Sequence, residues 1–153
     1  MCLIPEGRGV FPSLTVRQNL RLFAPERQAA QAVERAADFF PSLARRLDQA
    51  AGSLSGGEQQ MLALCRAVVG EASVVLVDEA SMGLSPVMVD QVFEFLTRIA
   101  AAGTSLLLVE QYVHRALEIA GHVYLLNRGQ IAFSGPPADL AADDLLRRYL
   151  SGH

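Results

Sequence analysis

The apolar positions of this chain change period partway along it, and the change separates two kinds of structure. Before residue 70 they recur at helical spacing. Thr15 can cap a short helix over Val16–Phe23, which Pro25 closes. A second helix is predicted over 28–40, where Ala30, Val33, Ala37 and Phe40 share one face, and Pro41 interrupts it. A third is predicted from Gly57 to Val69, with Gly70 as its C-terminal stop. Ahead of them, Cys2-Leu3-Ile4 reads as a short strand stopped by Pro5.

After Gly70 continuous apolar runs replace the helical period. Val74-Val75-Leu76-Val77 and Leu106-Leu107-Leu108-Val109 have the form of strands buried on both faces. Between them Ser85-Pro86 starts a helix that runs through Val89, Val92, Phe93 and Leu96 and ends before Gly103. A further helix is predicted over 113–120, then strands over 123–126 and 130–133 joined by a hairpin turn at Asn127-Arg128-Gly129. Short helices around 138–141 and 144–149 complete the chain. The alternation of strand and helix predicts an α/β fold with a mainly parallel sheet and covering helices.

Composition narrows the function classes. At 153 residues the chain fits one domain, and 51% hydrophobic with 19% charged residues argues for a folded core over disorder. A formal net charge of -3 supplies no basic footprint, so nucleic acid is not an expected partner. The apolar runs fall far short of the ~20 residues that a membrane span needs. Met1-Cys2-Leu3-Ile4-Pro5-Glu6 does not have the form of a signal peptide. Cys2 and Cys65 have no metal-ligand spacing and fit a reducing compartment. His114 and His122 also lack that spacing and read as structural, and Phe39-Phe40 reads as packing.

Two motifs carry chemistry. Leu54-Ser55-Gly56-Gly57-Glu58 opens a helix with a hydroxyl, free backbone N–H groups and the positive helix end, all suited to an anion. The strand over 74–77 ends in Asp78-Glu79, which puts a metal-binding carboxylate and a general base at a sheet edge. Both belong to nucleotide chemistry. The 153 residues nevertheless contain no Gly-x-x-x-x-Gly-Lys-Ser/Thr loop.

In this order the motifs resemble the ATP-binding cassette (ABC) ATPases. Residues 54–58 look like the signature loop, with Glu58 where Gln is usual, and residues 74–79 look like the Walker B strand. Ser81-Met82-Gly83-Leu84-Ser85 sits at the D-loop, Gln111 at the switch histidine, and Pro5-Glu6-Gly7-Arg8 at the Q-loop, with Glu6 where Gln is usual. Pro-Glu-Gly-Arg, Leu-Thr-Val, Ser-Gly-Gly-Glu-Gln-Gln-Met and Val-Glu-Gln together are similar to ATPase subunits of branched-chain amino acid importers. Urea and amide importers share much of this set. The resemblance spans the chain but only the C-terminal part of such a cassette.

That resemblance implies an incomplete P-loop NTPase-like domain: a helical signature subdomain over about 13–70, then an α/β part over about 71–153. Two cassettes sandwich ATP in this family, so Ser55, Gly56, Gly57 and Glu58 would serve a nucleotide held by a partner. Asp78 would hold Mg²⁺ through water, Glu79 would orient or deprotonate the attacking water, and Gln111 would hydrogen-bond the γ-phosphate or that water. Glu6 either ligates Mg²⁺ or is a solvated loop charge. Ala80 replaces the common proline, with a local backbone effect only. The implied partners are a second ATPase subunit and transmembrane permease subunits met through residues 14–69. The implied place is the cytoplasm, peripheral at the inner face of the cell membrane.

The strand before the phosphate loop lies centrally in that family, between the strands matching 106–109 and 123–126. Its loss would leave two rows of unpaired backbone groups or force the sheet to re-pair. The expectation is therefore a C-terminal portion of a cassette that is inactive alone, couples ATP hydrolysis to solute uptake when whole, and belongs with Mg²⁺ and ATP. A non-catalytic regulatory or assembly partner, donating its signature loop to an intact cassette, is the alternative. A DNA-repair or chromosome ATPase is disfavoured, because no sustained heptads are present.

Overall fold

The computed structural model describes residues 1–142, so the helix expected over 144–149 lies outside the described residues. The chain divides into two compact units, Met1–Gln111 and a second from Tyr112 onward.

In the first unit, β1 (Cys2–Ile4) leads through a loop to α1 (Val16–Phe23), α2 (Ala32–Phe39), α3 (Pro41–Ala44) and α4 (Gly56–Val69). Then follow β2 (Val74–Asp78), α5 (Pro86–Ala101) and β3 (Ser105–Val109). Thr15 caps α1 in a reciprocal box with Gln18, each satisfying a backbone N–H of the other. Asn19, fully buried, ties the preceding loop to that helix: its Nδ2 donates to the Phe11 and Thr15 carbonyls, each at 3.0 Å. Its Oδ1 accepts the Phe11 N–H at 2.8 Å.

The helix expected over 28–40 differs in two ways. Its start is a 3₁₀ turn, Glu26–Gln28, and α2 begins only at Ala32. The Gln28 side chain is drawn to Glu71 at 2.7 Å, a partner 43 residues away, and turn bonds rather than α-helical ones fill the gap. Pro41 does more than interrupt, because it opens α3 at the first turn, where no N–H is needed.

The three strands form a parallel sheet in the order β1-β2-β3, with Ile4 beside Val77 and Val77 beside Leu108. Side chains alternate across it. Ile4, Val75 and Val77 point into a core completed by α4 and α5, where Leu62, Leu64, Cys65, Val92 and Leu96 are buried. The opposite face is also apolar and is uncovered: Leu107 is 57% and Val109 55% exposed, and Leu3 and Val74 are exposed beside them.

In the second unit α6 (Val113–Ile119) precedes β4 (Val123–Asn127), β5 (Gln130–Gly135) and α7 (Pro137–Ala142). The two strands pair antiparallel in a sheet of their own. Positive φ at both Arg128 (48°) and Gly129 (77°) matches the mirror-image turn that the right-handed strand twist favours in tight hairpins. Of the two outcomes expected without a central strand, re-pairing of β3 with β4 does not occur: among the described residues β3 pairs with β2 and β4 with β5. Among the described residues no helix is long and apolar enough to cross a membrane.

Candidate functional site

Parallel strands bring their C-terminal ends to one edge of the sheet, where loops gather polar groups. Here β1 delivers the loop containing Glu6, β2 delivers Asp78 and then Glu79, and β3 ends beside Asp78 and leads to Gln111. Glu79 has a φ of 48°, a left-handed conformation that costs a non-glycine residue of order 1 kcal/mol. Such a residue persists only where its surroundings fix it. Its N–H donates to the Val109 carbonyl at 2.8 Å, and the following Ala80 and Ser81 are both buried. Asp78 and Gln111 are exposed and Glu79 is half-buried. No group of three or more metal-ligating side chains lies together among the described residues. Asp78 at the strand end is a single exposed carboxylate, a donor of the kind that a Mg²⁺ keeping much of its hydration shell would accept.

Ser55 caps α4. Its Oγ accepts the Glu58 N–H at 3.3 Å, while Glu58 Oε2 accepts the Ser55 N–H at 3.0 Å and the Ser55 hydroxyl at 2.8 Å. Arg46 closes on the other carboxylate oxygen of Glu58 at 2.8 Å. The amides of Gly56 and Gly57 thus open the helix at an exposed corner. A side chain at Gly56 would press on the Arg8 guanidinium, 3.0 Å away, and one at Gly57 would collide with Met88. Both contacts are with the ends of flexible side chains, which a small side chain would displace rather than meet as a fixed wall.

The Ser55 N–H, then the Ser55 hydroxyl and Arg46, hold the Glu58 carboxyl below its ordinary value against partial desolvation. A lowered carboxyl contributes stability that is full above its unfolded value and is lost as pH falls through the folded one. We expect unfolding free energy to decline as pH drops below about 4.5 and the decline to flatten in Glu58→Gln. Urea titrations of both proteins between about pH 6 and about pH 3 check this.

Three residues of this region escape sequence reasoning. Arg8, at φ 62° beside Gly9 at φ 62°, turns its guanidinium onto Gln59 Oε1 at 3.0 Å, so the loop after β1 is fastened to the start of α4. The motif Pro-Glu-Gly-Arg contains Arg8, but nothing local signals a partner 51 residues away. Ser81 and Glu110 meet through a short hydrogen bond, with the serine hydroxyl donating to Oε2. Both belong to motifs quoted above, Ser81 to Ser-Met-Gly-Leu-Ser and Glu110 to Val-Glu-Gln, but neither motif signals that the two side chains meet across 29 residues.

Comparison with known proteins shows the family and the fold. The ABC transporter family matches residues 1–82. The chain is 37% identical, over 99% of its length and 67% of the relative's, to the high-affinity branched-chain amino acid transport ATP-binding protein BraG of Pseudomonas aeruginosa. It is 36% identical to the probable branched-chain amino acid transport ATP-binding protein LivF of Archaeoglobus fulgidus, covering 97% of this chain and 65% of that one. It thus spans about two thirds of the length of these relatives. Its fold matches cbiO1 from Clostridium perfringens, part of the ABC transporter complex cbiONQ, with a TM-score of 0.76, 19% identity and coverage of 97% and 61%. It also matches the ATP-binding cassette MJ0796 in a dimeric post-hydrolysis state bound to ADP and Pi, with a TM-score of 0.74, 19% identity and coverage of 88% and 62%.

Proposed function

The chain belongs to the ABC transporter family, and on that premise we propose that it acts in the ATP-binding subunit of an importer for branched-chain amino acids. The observation that carries the reading is the capped Ser55-Gly56-Gly57 corner of α4, alongside a parallel sheet edge bearing Asp78, Glu79 and Gln111. The relatives named for branched-chain amino acid transport support the solute class. The assembly comprises a second ATP-binding subunit and membrane permease subunits, and it places this chain at the cytoplasmic face of the membrane.

In that assembly Ser55, Gly56 and Gly57 present a hydroxyl and helix-end amides to the γ-phosphate of an ATP held by the partner. To do so the Ser55 hydroxyl rotates away from Glu58, which keeps its bond to the Ser55 N–H. Asp78 would help hold Mg²⁺, and the ion when bound would supply charge neutralisation for phosphoryl transfer. Glu79 orients the attacking water and accepts its proton. Gln111 offers a neutral hydrogen bond to phosphate or water at the same edge. Glu6, on the exposed loop after β1, would be a second carboxylate for such an ion, or would otherwise remain a solvated loop charge.

The test is transport. We expect the chain, joined to the phosphate-loop portion of a branched-chain relative's cassette and co-expressed with a branched-chain amino acid permease, its binding protein and the second ATP-binding subunit, to support uptake of labelled leucine. The assembly without this chain gives the background. Uptake no greater than that background, or uptake of a different solute class only, overturns the reading.

A further inference from the structure

The end of β3 and the loop after β2 are joined residue by residue. The Glu79 N–H donates to the Val109 carbonyl at 2.8 Å, the Ser81 hydroxyl donates to the Glu110 carboxylate, and Gln111 Nε2 reaches the Met82 sulfur at 3.7 Å. The three bridges lie in step: 79 with 109, 81 with 110, 82 with 111. We propose that Glu110 is a positioning residue, whose carboxylate clasps the turn at Ala80-Ser81 so that Glu79 and Gln111 are held as one unit.

Several observations support this role. Glu79 is left-handed, so its carboxylate points where it does only while the next residues are pinned. Ala80 and Ser81 are almost fully buried, and the loop is steadied within itself by Met82 N–H to Glu79 carbonyl at 3.1 Å. Burial pushes the Glu110 carboxyl up, opposed by the Ser81 hydroxyl and by the amides of Ser81, Gln111 and Ala80 that face it. Those amides close no hydrogen bond of standard geometry on Oε1, which is buried without a partner. A half-buried carboxylate in that setting depends on the Ser81 hydroxyl. The serine in turn has no other reason to be polar at a fully buried position.

The proposal rests on the reading of Glu79 and Gln111 as the groups that act on water and phosphate, but its test needs no nucleotide. Amide hydrogen exchange and ¹H–¹⁵N spectra of the 153-residue chain are compared for Ser81→Ala, Glu110→Gln and the double variant, with Ser81→Thr as the conservative control. Loss of a hydrogen bond to a charged group corresponds to about tenfold faster exchange at the amides of residues 79–82. The double variant is expected to go no faster than either single one. The Gln111 side-chain amide signal should shift in each, α4 and α5 should keep their protection, and Ser81→Thr should restore the original values. A residue that merely supports the fold would instead speed exchange in α4 and α5 as well, and that result overturns the proposal. So does an unmoved Gln111 signal, an additive double variant, or unchanged exchange at 79–82. Failure of leucine uptake would sink the importer reading and leave the clasp between Glu110 and Ser81 standing.

Discussion

Replacing Gly57 with Asp is expected to lower the ATP turnover of a cassette pair containing this chain by two to three orders of magnitude. Backbone donors aimed at developing negative charge contribute roughly 10²- to 10³-fold each to such reactions. An aspartate in the first turn of α4 sets a carboxylate against the site where phosphate oxygens would lie. It also inserts a side chain where the Met88 thioether now packs over Gly57. The substitution should not unfold the helix, because an acidic residue in a first turn is favoured by the helix dipole by some tenths of a kcal/mol. Gly57→Ala separates the two effects, since it displaces the flexible Met88 end without adding charge and should cost far less. Turnover of the assembled pair, read beside the thermal midpoint of each variant, decides the matter. If Gly57→Asp keeps within about tenfold of the unmodified rate, this corner of α4 does not face a nucleotide.

That prediction rests on a region the sequence describes well, and the reason is local. A Ser-Gly-Gly-Glu opening to an apolar helix encodes its own cap, and the structure shows the full reciprocal box at Ser55 and Glu58. The strands at 74–78 and 105–109 are equally plain, since β-branched and leucine runs between turn signals have few other uses. Pro86 after Ser85 marks the start of α5 within one residue. The Asn127-Arg128-Gly129 turn is legible for the same reason, because its chemistry is contained in consecutive residues.

What is not legible depends on partners far along the chain. Gln28 leaves the helical pattern for Glu71, Arg8 reaches Gln59, and Ser81 meets Glu110 across 29 residues. No window of local spacing contains both members of any such pair. The sheet misleads in a different way. Leu107 and Val109 belong to a run that reads as buried on both faces, yet among the described residues only one face of β1-β2-β3 is covered. The sequence pattern records a face that is suited to burial, while Leu3, Leu107 and Val109 on it are exposed among the described residues. Sequence placed the candidate residues Glu6, Asp78, Glu79 and Gln111 on loops and strand ends, and parallel pairing brings those ends to one edge. It could not foresee that Glu79 would be left-handed or what would hold it so.

The second large effect is on stability, and it lies away from the chemistry. Phe95→Ala is expected to destabilise the chain by about 3–5 kcal/mol, the usual cost of removing a fully buried aromatic ring. Phe95 is 2% exposed on α5, and it is where that helix meets the end of α2 and the residue joining α2 to α3. The Phe39 ring approaches it edge-on at 5.2 Å and 71°, while Phe40 stacks on it at 5.2 Å and 26°. Such pairs add about 0.5–1.5 kcal/mol beyond the area they bury. Arg98, one turn on, extends the contact by lying over the Phe39 ring at 4.2 Å and donating to the Asp38 carbonyl at 3.3 Å. Removing the ring therefore opens a cavity between the sheet-covering helix and the helical segment that leads towards the Ser55 cap. Against a typical total of about 5–15 kcal/mol, the loss leaves little margin. Phe95→Leu, which keeps more of the buried volume but neither ring pair, should cost about half as much. Urea unfolding followed by circular dichroism measures both. A cost below about 1 kcal/mol for Phe95→Ala would mean that α5 and the α2–α3 segment hold together without this aromatic trio.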